Sequence, residues 1–136
     1  MSKVEQTLSI IKPDAIERNL EDKIKLVFLK NDFKIIKEKK LKLEKMEAEQ
    51  FYKVHQTKPF YNDLCEYLSS GPILAMILEK EDAIQANRNI MGATDPKKAE
   101  EGTIRKSFGI SIDKNSVHGS DSVENAKIEI DFFFKS

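Results

Sequence analysis

The chain has 136 residues, 40% of them hydrophobic, which suits one domain with one core. Its 23 Lys and Arg balance 23 Asp and Glu, and this zero net charge argues against a general nucleic-acid binder without excluding a local basic pocket. The lone Cys65 rules out an internal disulfide, no apolar run is long enough to span a bilayer, and Met1 to Gln6 lack a signal-peptide core, so a cytoplasmic protein is expected. Residues 7–11 read as a strand stopped by Pro13. Leu20, Ile24, Val27 and Phe28 share one face of a helix over 20–31, and Asn31-Asp32 signals a turn. Residues 33–43 alternate apolar side chains with Lys and Glu, as in a half-exposed strand. Residues 47–70 have a helical period, divided at Lys58-Pro59 into two helices that meet there. Ser70-Gly71-Pro72 ends them, and the unbroken apolar run 73–78 suits a central buried strand. Ala83, Ile84, Asn87 and Met91 mark a helix closed by Gly92. Residues 93–116 lack periodicity and read as a long structured loop, a type of segment that often carries function. A short strand at 116–118 follows. The last helix begins near Asp121, with an Asp121–Glu124 capping box and an apolar face of Val123, Ala126, Ile130 and Phe133.

The order is βαββαβ with extra helices. That is the pattern of a ferredoxin-like α/β sandwich, an α+β fold with a four-stranded antiparallel sheet covered by helices. A single domain over 1–136 is expected.

The chemistry centres on Asn115-Ser116-Val117-His118-Gly119-Ser120-Asp121. Imidazole is the side chain best suited to attack phosphorus or carry a proton at neutral pH, and the chain has only His55 and His118. Gly119 suits a close backbone approach to a ligand or a positive φ, and Ser120 and Asp121 offer orienting hydrogen bonds. No phosphate-cradling glycine loop, zinc-ligand cluster or serine-nucleophile elbow is present, so bound phosphates would need charged side chains. Lys12 at a strand end is either solvated or aimed into a cleft. Arg88 and Arg105 are surface ion-pair partners or bidentate phosphate ligands. Thr94 is a helix cap or a phosphate donor, Phe60 a core residue or a base-stacking platform, and Asn115 a turn residue or a ribose ligand.

Taken together, these residues resemble the nucleoside diphosphate kinases. The resemblance rests on Ile11-Lys12-Pro13-Asp14-Ala15, Lys58-Pro59-Phe60, Ser70-Gly71-Pro72, Gly92-Ala93-Thr94-Asp95-Pro96, Gly102-Thr103-Ile104-Arg105 and Asn115 to Ser122, in order along nearly the whole chain. It implies Mg²⁺-dependent, ping-pong transfer of the γ-phosphate from NTP to NDP through a phosphohistidine, with broad base specificity. By the same resemblance, His118 attacks through Nδ1, and Lys12, Arg88, Thr94 and Arg105 bind the phosphates. Asn115, with Lys12, holds the sugar hydroxyls, while Phe60 stacks on the base opposite Ile112. Tyr52 lies near the phosphate, and Ser120 and Glu129 orient His118. Mg²⁺ is held mainly by the nucleotide phosphates, with Asp121 assisting through water. A homo-oligomer is implied, a hexamer being favoured over a tetramer, with no membrane and no specific nucleic acid as partner. Leu20 to Asp22, Lys80 and Glu101 depart from the family pattern, where glycine, glycine and proline are common.

Overall fold

A computed structural model describes residues 3–112 and 114–134. The elements are β1 (Val4–Ile11), α1 (Pro13–Glu17), α2 (Glu21–Lys30), β2 (Lys34–Leu41), α3 (Lys45–Phe51), α4 (Tyr61–Leu68), β3 (Ile73–Glu81), α5 (Ala83–Met91), α6 (Ile104–Phe108), β4 (Val117–Gly119) and α7 (Val123–Phe134). The strands form one antiparallel sheet in the order β2-β3-β1-β4, the open sheet of the ferredoxin-like sandwich. β3 is buried on both faces. Leu74, Met76 and Leu78 join Ile24 and Phe28 of α2 and Met91 of α5 on one side. Ile73 and Ala75 join Ala48 of α3, Leu68 of α4 and Phe133 of α7 on the other. An unbroken apolar run is what a strand between two helical layers requires.

Several elements differ from their sequence reading. Pro13 does not merely stop β1: its fixed φ and absent N–H suit the first turn of a helix, and it opens α1. The two helices expected to meet at Lys58-Pro59 instead end at Phe51 and begin at Tyr61, separated by a 3-10 turn at Lys53–His55. β2 is more exposed than half, because it is the sheet edge, and it carries a bulge between Ile35 and Lys37. The segment 93–116 holds a 3-10 turn at Pro96–Lys98, capped by Asp95, and α6, capped by Thr103. The Asp121–Glu124 box does not form. Ser122 caps α7 by accepting from Asn125 N at 3.1 Å, and Asp121 accepts from Asn125 Nδ2 at 2.6 Å. Lys80, where glycine is common in the family, donates to Asn31 O at 2.6 Å and lies over the Phe33 ring.

Candidate active site

β4 is only three residues long, yet its pairing beside the central strand fixes His118 opposite Ile10. His118 Nε2 lies 2.9 Å from Glu129 Oε1 on α7. A carboxylate only accepts, so Nε2 carries the proton and the Nδ1 lone pair remains. Ser120 Oγ donates to the same Glu129 oxygen at 2.9 Å and accepts from Leu8 N of β1 at 3.2 Å. The orienting carboxylate is thereby tied to the middle of the sheet. The Phe51 ring meets the imidazole edge-on at 5.3 Å and Tyr52 does so at 6.1 Å, fixing the ring plane. Burial, then the charge of Glu129, pushes the Tyr52 phenol well above its ordinary value, so it stays protonated.

His118 lines a cavity of about 510 Å³ together with Lys12, Tyr52, Phe60, Thr94, Arg105 and Asn115, and also Ile112, Asp121 and Glu129. Lys12 Nζ donates to Asn115 Oδ1 at 3.0 Å, and Asn115 Nδ2 donates to Thr94 O at 3.1 Å, so the cation, the amide and the loop form one wall. Arg105 is buried. Its Nη1 and Nη2 donate to Gly92 O at 3.0 Å and Val117 O at 2.9 Å, which braces β4. Burial, then the neighbouring charge of Arg88, lowers its pKa to about 10, leaving it cationic at neutral pH. Arg88 itself lines an adjoining cavity of about 590 Å³, which shares Thr94, Arg105, Gly119 and Asp121 with the first. At the mouth, Phe60 is 47% exposed and Ile112 55%, two apolar side chains left in water with no core to join. Ser120 is fully buried and stands behind the site rather than in it.

Gly119 borders both cavities and also meets a packing demand that its position does not announce. Its φ is not positive. A Cβ there would come within 2.4 Å of Asn87 Nδ2 and 2.8 Å of Met91 Cε, so the close approach is that of α5 against the back of β4. The sequence reading also misses Phe51, and Val54, His55, Leu64 and Asn125 of the cavity wall. For His55 a signal existed: it is one of two histidines and lies three residues before Lys58-Pro59-Phe60. Its Nδ1 is buried without a hydrogen-bond partner. Burial, then the charge of Lys58, lowers its pKa. Asp121 keeps its carboxylate below the ordinary value, chiefly through the Asn125 hydrogen bond.

Among the described residues no group of three His, Cys, Asp or Glu side chains could hold a metal ion. What the cavity offers is cations for phosphate, the carboxylate of Asp121 beside that of Glu129 already engaged by the imidazole, one ring nitrogen left available, and an apolar mouth. That set suits phosphoryl transfer from a nucleotide.

A family model described as nucleoside diphosphate kinase matches residues 5–136. The nucleoside diphosphate kinase of Persephonella marina is 57% identical over 131 residues, 96% of this chain and 94% of that one. Its counterpart from Wolinella succinogenes is 58% identical, with 96% of each chain covered. The crystal structure of the Aquifex aeolicus nucleoside diphosphate kinase superposes with a TM-score of 0.96 at 42% identity, covering 98% of this chain and 97% of that one.

Proposed function

This chain belongs to the nucleoside diphosphate kinase family, and from that premise we propose how its own residues carry the reaction. The protein is a kinase that moves the terminal phosphate of an NTP to an NDP. His118 is the nucleophile. Its Nδ1 attacks the γ-phosphorus, the bond from phosphorus to the bridging oxygen breaks, and the NDP leaves. A second NDP then takes the phosphate back by the reverse displacement. The observation that carries this reading is the 2.9 Å contact of Nε2 with Glu129, which fixes the tautomer and leaves Nδ1 for attack at a cavity with a cationic wall.

Lys12, Arg88 and Arg105, with Thr94, bind the phosphates and spread the charge that builds on the equatorial oxygens. Lys12 and Asn115 hold the sugar hydroxyls. Phe60 stacks on the base and Ile112 closes its other side. A π-face and a methyl group read no base edge, so ATP, GTP and deoxynucleotides are all substrates. Tyr52 supports the phosphate end, while Ser120 and Glu129 orient His118 from behind. Magnesium fits as a passenger on the nucleotide. Asp121 of the cavity would hold it through water beside the phosphate oxygens, a donor set this ion accepts, and the ion would supply further charge neutralisation.

The chain acts as a single domain over residues 1–136; of these, 1, 2, 113, 135 and 136 lie outside the described residues. It works in the cytoplasm as a homo-oligomer, a hexamer in preference to a tetramer, without membrane or specific nucleic-acid partners. Leu26 and Leu29 of α2 and Ile36 of β2, all exposed along the unpaired sheet edge, support self-association. No helix of the described residues is long and apolar enough to cross a membrane.

Incubation with γ-labelled ATP and Mg²⁺ tests the nucleophile. The wild type is expected to take up acid-labile, alkali-stable label that any NDP discharges, and His118→Ala none. A wild type that binds nucleotide without acquiring label would sink the reading and leave a nucleotide-binding regulator.

A further inference from the structure

Asp14 has no part in the steps above, yet its carboxylate is only 3% exposed and is fully partnered. It accepts from Tyr67 OH on α4, from Arg18 Nη2 at 3.0 Å and from Ser116 Oγ at 3.2 Å. A buried carboxylate persists only where hydrogen bonds replace its water. The partners explain what this cluster holds. Ser116 sits at φ +76°, and Val117 N donates to Asn115 O at 2.9 Å across it, a tight turn that is strained for a residue with a Cβ. Its carbonyl accepts from Lys12 N at 2.8 Å, and its neighbour Asn115 reaches Lys12 Nζ and Thr94 O. Arg18 Nη2 also donates to Phe108 O at the end of α6. One carboxylate therefore joins the turn after β1, the close of α6 and the entry to β4.

We propose that Asp14 is a positioning residue for nucleotide binding: through Ser116 it imposes the tight turn that presents Asn115, with Lys12, to the sugar. The proposal rests on the reading that these two residues hold the sugar hydroxyls. Asp14→Asn weakens the grip on Ser116. Ser116→Ala removes the hydroxyl but leaves the carboxylate with Arg18 and Tyr67, so it carries the same test if Asp14→Asn fails to fold.

Phosphorylated enzyme is to be discharged with ADP and with 2′,3′-dideoxy-ADP, which lacks the hydroxyls. Loss of one charge-assisted contact predicts a fall of about tenfold in kcat/KM for ADP, seated in KM, and under about twofold for the dideoxy nucleotide. Adding Ser116→Gly to Asp14→Asn is expected to restore most of the loss, because glycine accepts the turn unaided. Asn115→Ala is the reference. If it lowers both substrates equally, the sugar reading fails and the inference with it. If Asn115→Ala discriminates while Asp14→Asn and Ser116→Ala lower both substrates alike or neither, the sugar reading stands and the inference is overturned.

Discussion

His118 and Glu129 illustrate how much a single oxygen can settle. Glu129 Oε1 takes hydrogen bonds from both His118 Nε2 and Ser120 Oγ, so the carboxylate fixes a tautomer and a ring position at once. Glu129→Gln keeps an acceptor but loses the charge that stabilises the ring as it bonds to phosphorus. A fall of about tenfold in the rate of phosphoenzyme formation, read by quenched flow, is expected, with nucleotide affinity little changed. His55 gives a pH effect of definite sign. Its folded pKa lies below the ordinary 6.5, through burial first and Lys58 second. On acidification through 6.5 the unfolded chain takes up a proton at this position that the folded chain does not, so stability falls as pH drops toward the folded value. Denaturant midpoints measured between about pH 7.5 and about pH 5, roughly a unit or more on either side of the ordinary histidine value, are expected to fall less steeply in His55→Gln. Residues of this kind were only partly legible in the sequence. His118, Lys12 and Asn115 stand in short, specific motifs. Phe51 and His55 join the site only because α3 ends early and a 3-10 turn redirects the chain, a change no periodicity announces.

At the scale of elements, β4 is the exposed link. Three residues carry the nucleophile, held by Arg105 of α6, by β1 on one edge and by α5 packed directly against the Cα of Gly119. Gly119→Ala forces Asn87 and Met91 aside. Overpacking of this kind costs about 1–3 kcal/mol, visible as a lowered thermal midpoint, and kcat is expected to fall with it because His118 is the preceding residue. Element types were legible where a face repeats over several turns, as in α2, α5 and α7, or where an apolar run demands burial on two sides, as in β3. Boundaries were not. Ser120-Asp121-Ser122 offers three oxygen-bearing side chains to the start of α7, and either cap pattern fits the letters; the backbone path out of β4 selects Ser122. The five residues of α1 are too few to show a period, and Pro13 reads equally as the end of a strand or the first turn of a helix.

At the scale of the whole molecule, the long edge strand β2 is paired on one side only. β2 carries Lys34, Lys37, Lys39 and Lys40, charges that discourage indiscriminate pairing, yet Ile36 and, on α2, Leu26 and Leu29 remain in water beside them. Ile36→Asp is expected to shift the sedimenting species toward the monomer while the far-UV spectrum stays unchanged. An oligomer insensitive to this charge would place the contact elsewhere. The order β2-β3-β1-β4 makes β2 one edge strand and β4, with His118, the other, so a contact through β2 lies across the sheet from the nucleophile. Between them runs β1, where the Leu8 amide ends on the hydroxyl of Ser120 instead of a neighbouring carbonyl. That hydroxyl leads to Glu129 and from there to the imidazole. A single amide proton in the interior of the protein is therefore wired in series to Nε2, the ring nitrogen opposite the reacting one. Its exchange with deuterium is expected to change when His118 is phosphorylated, a readout in the middle of the sheet that leaves the substrate untouched.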